Sequence, residues 1–339
     1  LVEAHKTAAT FYREQLDSPA AAAGREFLKS RGFDANSAEH FGVGFAPQSW
    51  DALTGFLRGK GFTDEELLGG GLVSQGNRGV YDRFRGRLVW PIRDLGGDVV
   101  GFGARKLTDD DDGPKYLNTP ETPIYKKSHV LYGIDLARRE ISKNQQAVIV
   151  EGYTDVMACH LAGVTTAVAT CGTAFGTDHI KVLRRLLMDD DQMKGQVVFT
   201  FDGDAAGQKA AMRAFTEDQK FVSQTFVAVE SHGLDPCDLR LRHGDSAVQD
   251  LVNSRVPLFE FAIRSTIAAY DLDSAEGRVA ALRDAAPIVG KIRDPALRPE
   301  YARRLAGWIG MDVGDAAQAV GGPAATGRST PAAARAPPP

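Results

Sequence analysis

The chain has 339 residues, of which 43% are hydrophobic and 25% charged, and its formal net charge is −4. That length suits two or three packed units of ordinary globular composition, and the lack of a basic excess argues against a protein that grips a polyanion by bulk charge. No apolar run approaches the roughly 20 residues of a bilayer span, no signal peptide precedes the first element, and Cys159, Cys171 and Cys237 form no C-x-x-C pair, so neither a disulfide framework nor a cysteine zinc site is expected and the thiols read as reduced and cytoplasmic.

Leu1 to Leu16 carries apolar residues at helical spacing, and Gly24 to Arg31 repeats the pattern before a Gly32 stop. Leu1, standing where a Met would open a chain, predicts a fragment of something longer. From Phe41 to Arg105 short apolar runs are broken by glycine, which predicts a small mixed or antiparallel α/β unit. Between Gln145 and Glu230 strands and helices alternate. Strands are expected at Ala147–Val150, Thr165–Ala169, Val197–Phe201 and Thr225–Glu230, with helices at Asp155–Leu161, from Thr177 and from Ala205. That is the texture of a parallel, doubly wound sheet. Ala247 to about Val320 reads as a helical bundle, with Ser274 as an N-cap and Asp294-Pro295 as an N-cap followed by proline at the first helical position. Gly321 to Pro339, rich in Ala, Pro and Gly, reads as a disordered linker. The expected boundaries are 1–130, 131–246, 247–320 and 321–339.

Ligands of an open parallel sheet gather beyond the carboxyl ends of its strands. Here those ends are acidic: Glu151-Gly-Tyr-Thr-Asp155 after the first strand, Asp202-Gly-Asp204 after the third, Asp235-Pro-Cys-Asp238 after the fourth. Asp202 and Asp204, two apart, point the same way on an extended segment. Such a group repels itself unless hard divalent cations with oxygen ligands neutralise it, and two such metals serve phosphoryl transfer. A calcium loop is ruled out because the twelfth position from Asp202 is Arg213 rather than Glu. Any one of these acids alone would read as a turn residue; three acidic strand ends in one sheet read as a metal site.

Val150-Glu-Gly-Tyr-Thr-Asp155, Gly172-Thr-Ala-Phe-Gly176 and Phe201-Asp-Gly-Asp-Ala-Ala-Gly207 resemble the Toprim module of bacterial DNA primases, which is shared with type IA and type II topoisomerases. The resemblance implies an α/β fold in which a Rossmann-like, largely parallel Toprim sheet is flanked by a mixed α/β amino-terminal subdomain and a carboxyl-terminal helical bundle. It implies Mg²⁺ or Mn²⁺ at two or more sites, held by Glu151, Asp155, Asp202, Asp204 and Asp235, with Glu151, Asp202 and Asp204 catalytic and Glu151 the candidate proton-transfer group. Where primases often have Asp-Pro-Asp, this chain has Asp235-Pro236-Cys237, so the second acid of that motif is either Asp238 or absent.

Arg83-Phe-Arg-Gly-Arg87, Gly101-Phe-Gly-Ala-Arg105, Lys115-Tyr-Leu-Asn118 and Ile124-Tyr-Lys-Lys127 resemble the basic motifs of the primase RNA polymerase domain, a block that topoisomerases lack. Arginines two apart on a strand face one groove, and guanidinium forks bind phosphate. Arg85, Arg87, Arg105, Lys115, Tyr116, Asn118 and Lys126 are therefore the candidates for nucleotide and template, with Tyr116 and Tyr125 as base-stacking rings. His160, His179, Trp90, Trp308, Phe259 and Phe261 read as packing residues.

The expected partners are single-stranded DNA template, ribonucleoside triphosphates and an RNA primer. The expected helicase contact lies in a carboxyl-terminal domain outside this chain, as does the family's zinc ribbon. A basic triphosphate pocket also admits guanosine tetraphosphate as an inhibitor. The rival readings are a Toprim nuclease or topoisomerase, which would nick plasmid, and a non-catalytic nucleic-acid loader, which would bind metal without turnover. No tyrosine in a separate DNA-gate domain supports the first, and a pure binder gains nothing from a self-repelling acidic cluster.

Overall fold

The computed structural model describes residues 1–108, 111–187, 195–202, 224–292 and 294–321, with backbone alone for Phe201, Asp202 and Gln224. The helix expected from Ala205 and the linker residues 322–339 lie outside the described residues. Two compact units emerge, Leu1–Leu258 and Phe259–Pro339.

Helices α1 (Val2–Gln15), α2 (Ala22–Ser30) and α3 (Ala35–Phe41) open the first unit. Asp34 starts α3 by accepting the Ser37 amide at 2.8 Å, and Gly42, at φ 69°, ends it in the left-handed region that glycine adopts without penalty. A four-stranded antiparallel sheet follows, in the order β1 (Gly44–Ala46), β4 (Arg87–Arg93), β5 (Val99–Lys106), β6 (Tyr116–Asn118). Between β1 and β4 come α4 (Ala52–Gly59), α5 (Asp64–Gly69) and the β2–β3 hairpin (Val73–Gly76, Gly79–Asp82). The hairpin is tied to α4 by buried Asp82, whose carboxylate accepts the Leu53 and Thr54 amides at 2.7 and 2.9 Å. These are orphan donors of the first turn of α4, so one side chain caps the helix and fixes the hairpin.

The second sheet has the order β12-β11-β10-β8-β9-β7. Its centre, β11 (Gln224–Glu230), β10 (Gln196–Asp202), β8 (Gln146–Val150) and β9 (Ala167–Thr170), is parallel. Antiparallel strands β7 (Leu131–Tyr132) and β12 (Val256–Pro257) close its two edges. Pro257 has no N–H to donate and sits in an edge strand, where that loss is tolerated. Helix α6 (Ile134–Asn144) leads from the edge strand β7 into β8, and α7 (Tyr153–Leu161) and α8 (Thr177–Leu186) lie between successive parallel strands.

Helices α9 (Pro236–His243) and α10 (Asp245–Asn253) belong with this sheet. Val248, Leu251 and Val252 of α10 join the same hydrophobic cluster as Val148, Val198 and Ala228 of the strands. The bundle expected from Ala247 therefore begins later, at Phe259, because the apolar face of α10 is spent on the sheet. The cluster also takes in Phe41, Trp90 and Val100, so packing is continuous across residue 130.

The second unit runs from within α11 (Leu258–Ile267) through α12 (Ala275–Gly290), α13 (Leu297–Ile309) and α14 (Val313–Gly321). Ser274 caps α12 by accepting the Gly277 amide at 3.1 Å. Asp294 accepts the Ala296 amide at 2.7 Å, yet α13 starts only at Leu297, so Pro295 lies in the preceding turn rather than at the first helical position. Among the described residues no helix is long and apolar enough to cross a membrane.

Candidate active site

Because β8, β10 and β11 are parallel neighbours, their carboxyl ends form one rim. Exposed Glu151 follows β8, Asp202 ends β10 opposite Glu230 of β11, and Asp235 opens α9. Local chemistry explains each position. Gly152 turns the chain from strand into helix, and its amide donates to Asp155 Oδ2 at 2.9 Å, so buried Asp155 caps the positive end of α7. Asp235 accepts the Asp238 amide at 2.6 Å with Pro236 at the first helical position. Both acids are thus held by helix starts at the rim.

Asp238 is engaged elsewhere: Arg31, at the end of α2, donates to its Oδ1 at 2.7 Å. Arg31 was invisible as a rim residue in the sequence, since 207 positions separate the pair. Glu230, also missed, is buried and accepts the His232 and Leu234 amides at 2.7 and 2.8 Å, closing the loop that delivers Asp235. Asp204 and the Asp202 side chain lie outside the described residues, and among the described residues no three His, Cys, Asp or Glu side chains converge on a common point. The donor set nevertheless fits a hard cation. Glu151, Asp155 and Asp235 offer only oxygen, while burial, with Asp155 and Asp235 nearby, pushes the Cys237 thiol up to about 12 and keeps it protonated.

The basic motifs fall into two clusters. In the first, the Arg85 guanidinium lies 4.2 Å from the Trp50 ring centre and 5.2 Å from that of Tyr81, beside a cavity of about 540 Å³ lined by Gln48, Arg83, Arg87 and Asp111. Trp50 is 65% exposed, an unusual state for a large aromatic residue. In the sequence its one mark is a lone Trp in the polar Gln48-Ser-Trp-Asp51 loop. Arg87 is only 3% exposed and is paired with Asp111 at 2.5 Å while donating to the Pro114 carbonyl at 2.9 Å. Asp111 therefore neutralises one particular arginine.

In the second cluster, β5 and β6 set Arg105 opposite Tyr116. The Arg105 guanidinium covers Phe27 at 4.0 Å, and Lys115 lies 5.9 Å from the Tyr116 ring centre. Burial and Asp155 push the Tyr116 phenol up, while Arg105 and Arg31 pull it down. Tyr116, 41% exposed, also lies 6.2 Å ring to ring from Tyr153 of the acidic motif, so the basic cluster and the acidic rim are neighbours there.

Asn118 bridges the two sheets: Tyr153 donates its hydroxyl to Asn118 Oδ1 at 2.8 Å, and Asn118 Nδ2 donates to the Cys171 carbonyl at 3.0 Å. Lys126 is exposed. Its neighbour Tyr125, expected to stack on bases, is 0% exposed and belongs to the core cluster, so it anchors the loop and offers no ring to a ligand. His160 and His179 are tied to the Ala167 and Lys127 carbonyls, both at 2.9 Å. A larger cavity of about 710 Å³ lies among α1, α2 and α3, and Arg25 in its wall is spent on the Leu16 and Ser18 carbonyls.

Residues 11–138 match the family model for the amino-terminal domain of the DNA primase catalytic core, 145–230 the Toprim domain, and 259–314 the DnaB-helicase binding domain of primase. The RNA polymerase domain of Mycobacterium tuberculosis primase DnaG, solved with a double-stranded DNA oligomer carrying a 6-nucleotide overhang, is 60% identical with a TM-score of 0.85, covering 92% of this chain and 97% of that one. The chain belongs to the bacterial DNA primase family. The DNA primase of Streptomyces coelicolor is 66% identical over 312 residues, 92% of this chain and 48% of that protein. A DnaG primase catalytic domain bound to single-stranded DNA is 32% identical with a TM-score of 0.75, covering 90% of this chain and 97% of that one. The chain spans about half the length of the curated primases it matches. The helicase-binding match falls inside the chain, on helices of the second unit, and not in a domain beyond it as the motifs led one to expect. Helices that bind through a packed surface carry no fixed-spacing polar motif for a sequence reading to find.

Proposed function

We propose that this chain is the catalytic core of a DNA primase, which extends RNA primers on single-stranded DNA by nucleotidyl transfer from ribonucleoside triphosphates. The observation that carries the reading is the surroundings of Tyr116, which lies opposite Arg105 in the β5–β6 register, 5.9 Å from the Lys115 ammonium and 6.2 Å from the ring of Tyr153 in the Glu151–Asp155 motif, in a single compact unit. Template-directed polymerisation needs both an acidic centre and cationic contacts for phosphates, and a binding module needs only the second.

In this reading Glu151, Asp155, Asp202, Asp204 and Asp235 hold Mg²⁺ or Mn²⁺. The bound metal would neutralise charge on the triphosphate and favour ionisation of the primer 3′-hydroxyl. Glu151, exposed at the strand end, takes the proton. Arg105, Lys115 and Lys126 hold the triphosphate, and Arg85 with Trp50 holds the template, the ring carrying a base and the guanidinium a phosphate. Asn118, with both ends of its amide engaged, keeps the two sheets in register and acts on nucleotide indirectly.

Extension of an RNA primer annealed to single-stranded template, with labelled ribonucleotides and either metal, tests this. Incorporation that Asp202→Ala/Asp204→Ala abolishes supports it, and nicking of plasmid without incorporation would replace it by the nuclease reading. Trp50→Ala is expected to weaken single-stranded DNA binding by about 1–3 kcal/mol, the usual value of one base–aromatic stack, with KM for nucleotide unchanged; fluorescence anisotropy with a labelled oligonucleotide measures it. Guanosine tetraphosphate is expected to displace labelled nucleotide from the same basic contacts, and a titration without displacement would remove that competition. Residues 259–314 are proposed to contact the replicative helicase.

A further inference from the structure

The loop around Lys126 is held at several points. Tyr125 is buried, its amide and the Thr122 amide exchange hydrogen bonds with each other's carbonyls at 3.3 and 3.0 Å, and the Lys127 amide donates to Glu121 Oε1 at 3.0 Å. The outermost hold comes from the second sheet. His179, 1% exposed in the first turn of α8, accepts the Gly176 amide at Nδ1 (3.2 Å) and lies with Nε2 2.9 Å from the Lys127 carbonyl. Because an N–H approaches Nδ1, the ring proton sits on Nε2 and is donated to Lys127. Phe175 stacks on the ring at 5.5 Å. The Cys171–Gly176 segment follows β9, a parallel neighbour of β8, so the ring ties the basic loop to the rim on which Glu151 lies.

We propose that His179 is a positioning residue for nucleotide binding, whose bond to the Lys127 carbonyl fixes the backbone that presents Lys126. This rests on Lys126 being a nucleotide contact. Burial outweighs the favourable Lys127 carbonyl and Asp178 and holds the imidazole below its ordinary 6.5, so near neutral pH the ring stays in the uncharged form that can accept at Nδ1.

Two conservative variants separate the two bonds. In His179→Gln the amide nitrogen reaches the position of Nε2 and keeps the Lys127 bond. In His179→Asn the oxygen replaces Nδ1 and keeps the Gly176 bond, but the side chain stops short of Lys127. Primer extension and hydrogen exchange on the intact chain are read together. His179→Asn is expected to raise KM for nucleotide about two- to tenfold, the equivalent of one net hydrogen bond, with kcat within about twofold by the same argument, and to speed exchange of the Lys127 and His129 amides. His179→Gln restores both. An unchanged KM in His179→Asn overturns the proposal, and so do equal losses in the two variants that follow melting temperature alone. A parent chain that extends no primer removes the nucleotide reading and the proposal's functional half with it, whereas unchanged exchange in His179→Asn removes the strut.

Discussion

Glu151→Gln is expected to lower the rate of primer extension by about 10²- to 10⁴-fold, the usual contribution of a positioned proton acceptor. The substitution keeps size and shape and removes the charge. Glu151 is exposed at the end of β8, so its replacement should leave the melting temperature nearly unchanged. Template affinity should also hold, since Trp50 and Arg85 lie in the loops before α4 and β4 and not at the end of β8. Asp202→Ala/Asp204→Ala should fall at least as far, and in addition should weaken the response to titrated Mn²⁺, because it removes ligands. Single-turnover extension at saturating nucleotide separates ligation from proton transfer: a loss in Glu151→Gln that added metal restores in full would leave ligation as the whole role of Glu151 and the proton-transfer role without support.

Tyr153→Ala is expected to cost about 3–5 kcal/mol of stability, the range for truncating a large buried aromatic residue. Tyr153 stands inside the acidic motif but turns away from it. Its buried ring stacks on Trp90 of β4 at 5.5 Å and 10°, meets Tyr132 edge-on at 4.8 Å, and its hydroxyl reaches Asn118 of β6. Trp90 is in turn held to α7 by its Nε1, which lies 3.2 Å from Met157 Sδ. The fit depends on Gly103 of β5, where an added Cβ would come within 2.1 Å of the Tyr153 hydroxyl. Tyr153→Phe should cost much less, about 1–3 kcal/mol for the Asn118 oxygen left unsatisfied. Urea denaturation followed by tryptophan fluorescence measures both, Trp90 being a direct reporter. Equal stability in Tyr153→Ala would mean that the two sheets do not depend on this ring for their attachment.

The strands that carry the site were legible in the sequence for a local reason. Apolar runs of four to seven residues with β-branched side chains, separated by helical periodicity, admit few arrangements other than a parallel sheet, and acids placed just after them must then share a rim. The N-cap signal at Ser274 likewise depends only on a neighbour three residues away. The two short antiparallel edge strands were not legible, since two residues carry no periodicity, and neither was the assignment of α10 to the sheet.

What the amino-acid order determined by itself, then, is which residues stand at strand ends and helix starts: Glu151, Asp155, Asp202 and Asp235, and the basic runs from Arg83 to Lys127. The tertiary structure alone decided what each side chain does there. It buried Tyr125, paired Arg87 with Asp111, brought Arg31 across 207 positions to Asp238, joined Asn118 to Tyr153 and Cys171, and set His179 against a carbonyl 52 positions away. The physical reason is one of range. Backbone conformation is set by sterics and hydrogen bonds among near neighbours, whereas burial, charge pairing and proton affinity depend on which distant groups fill the surrounding space.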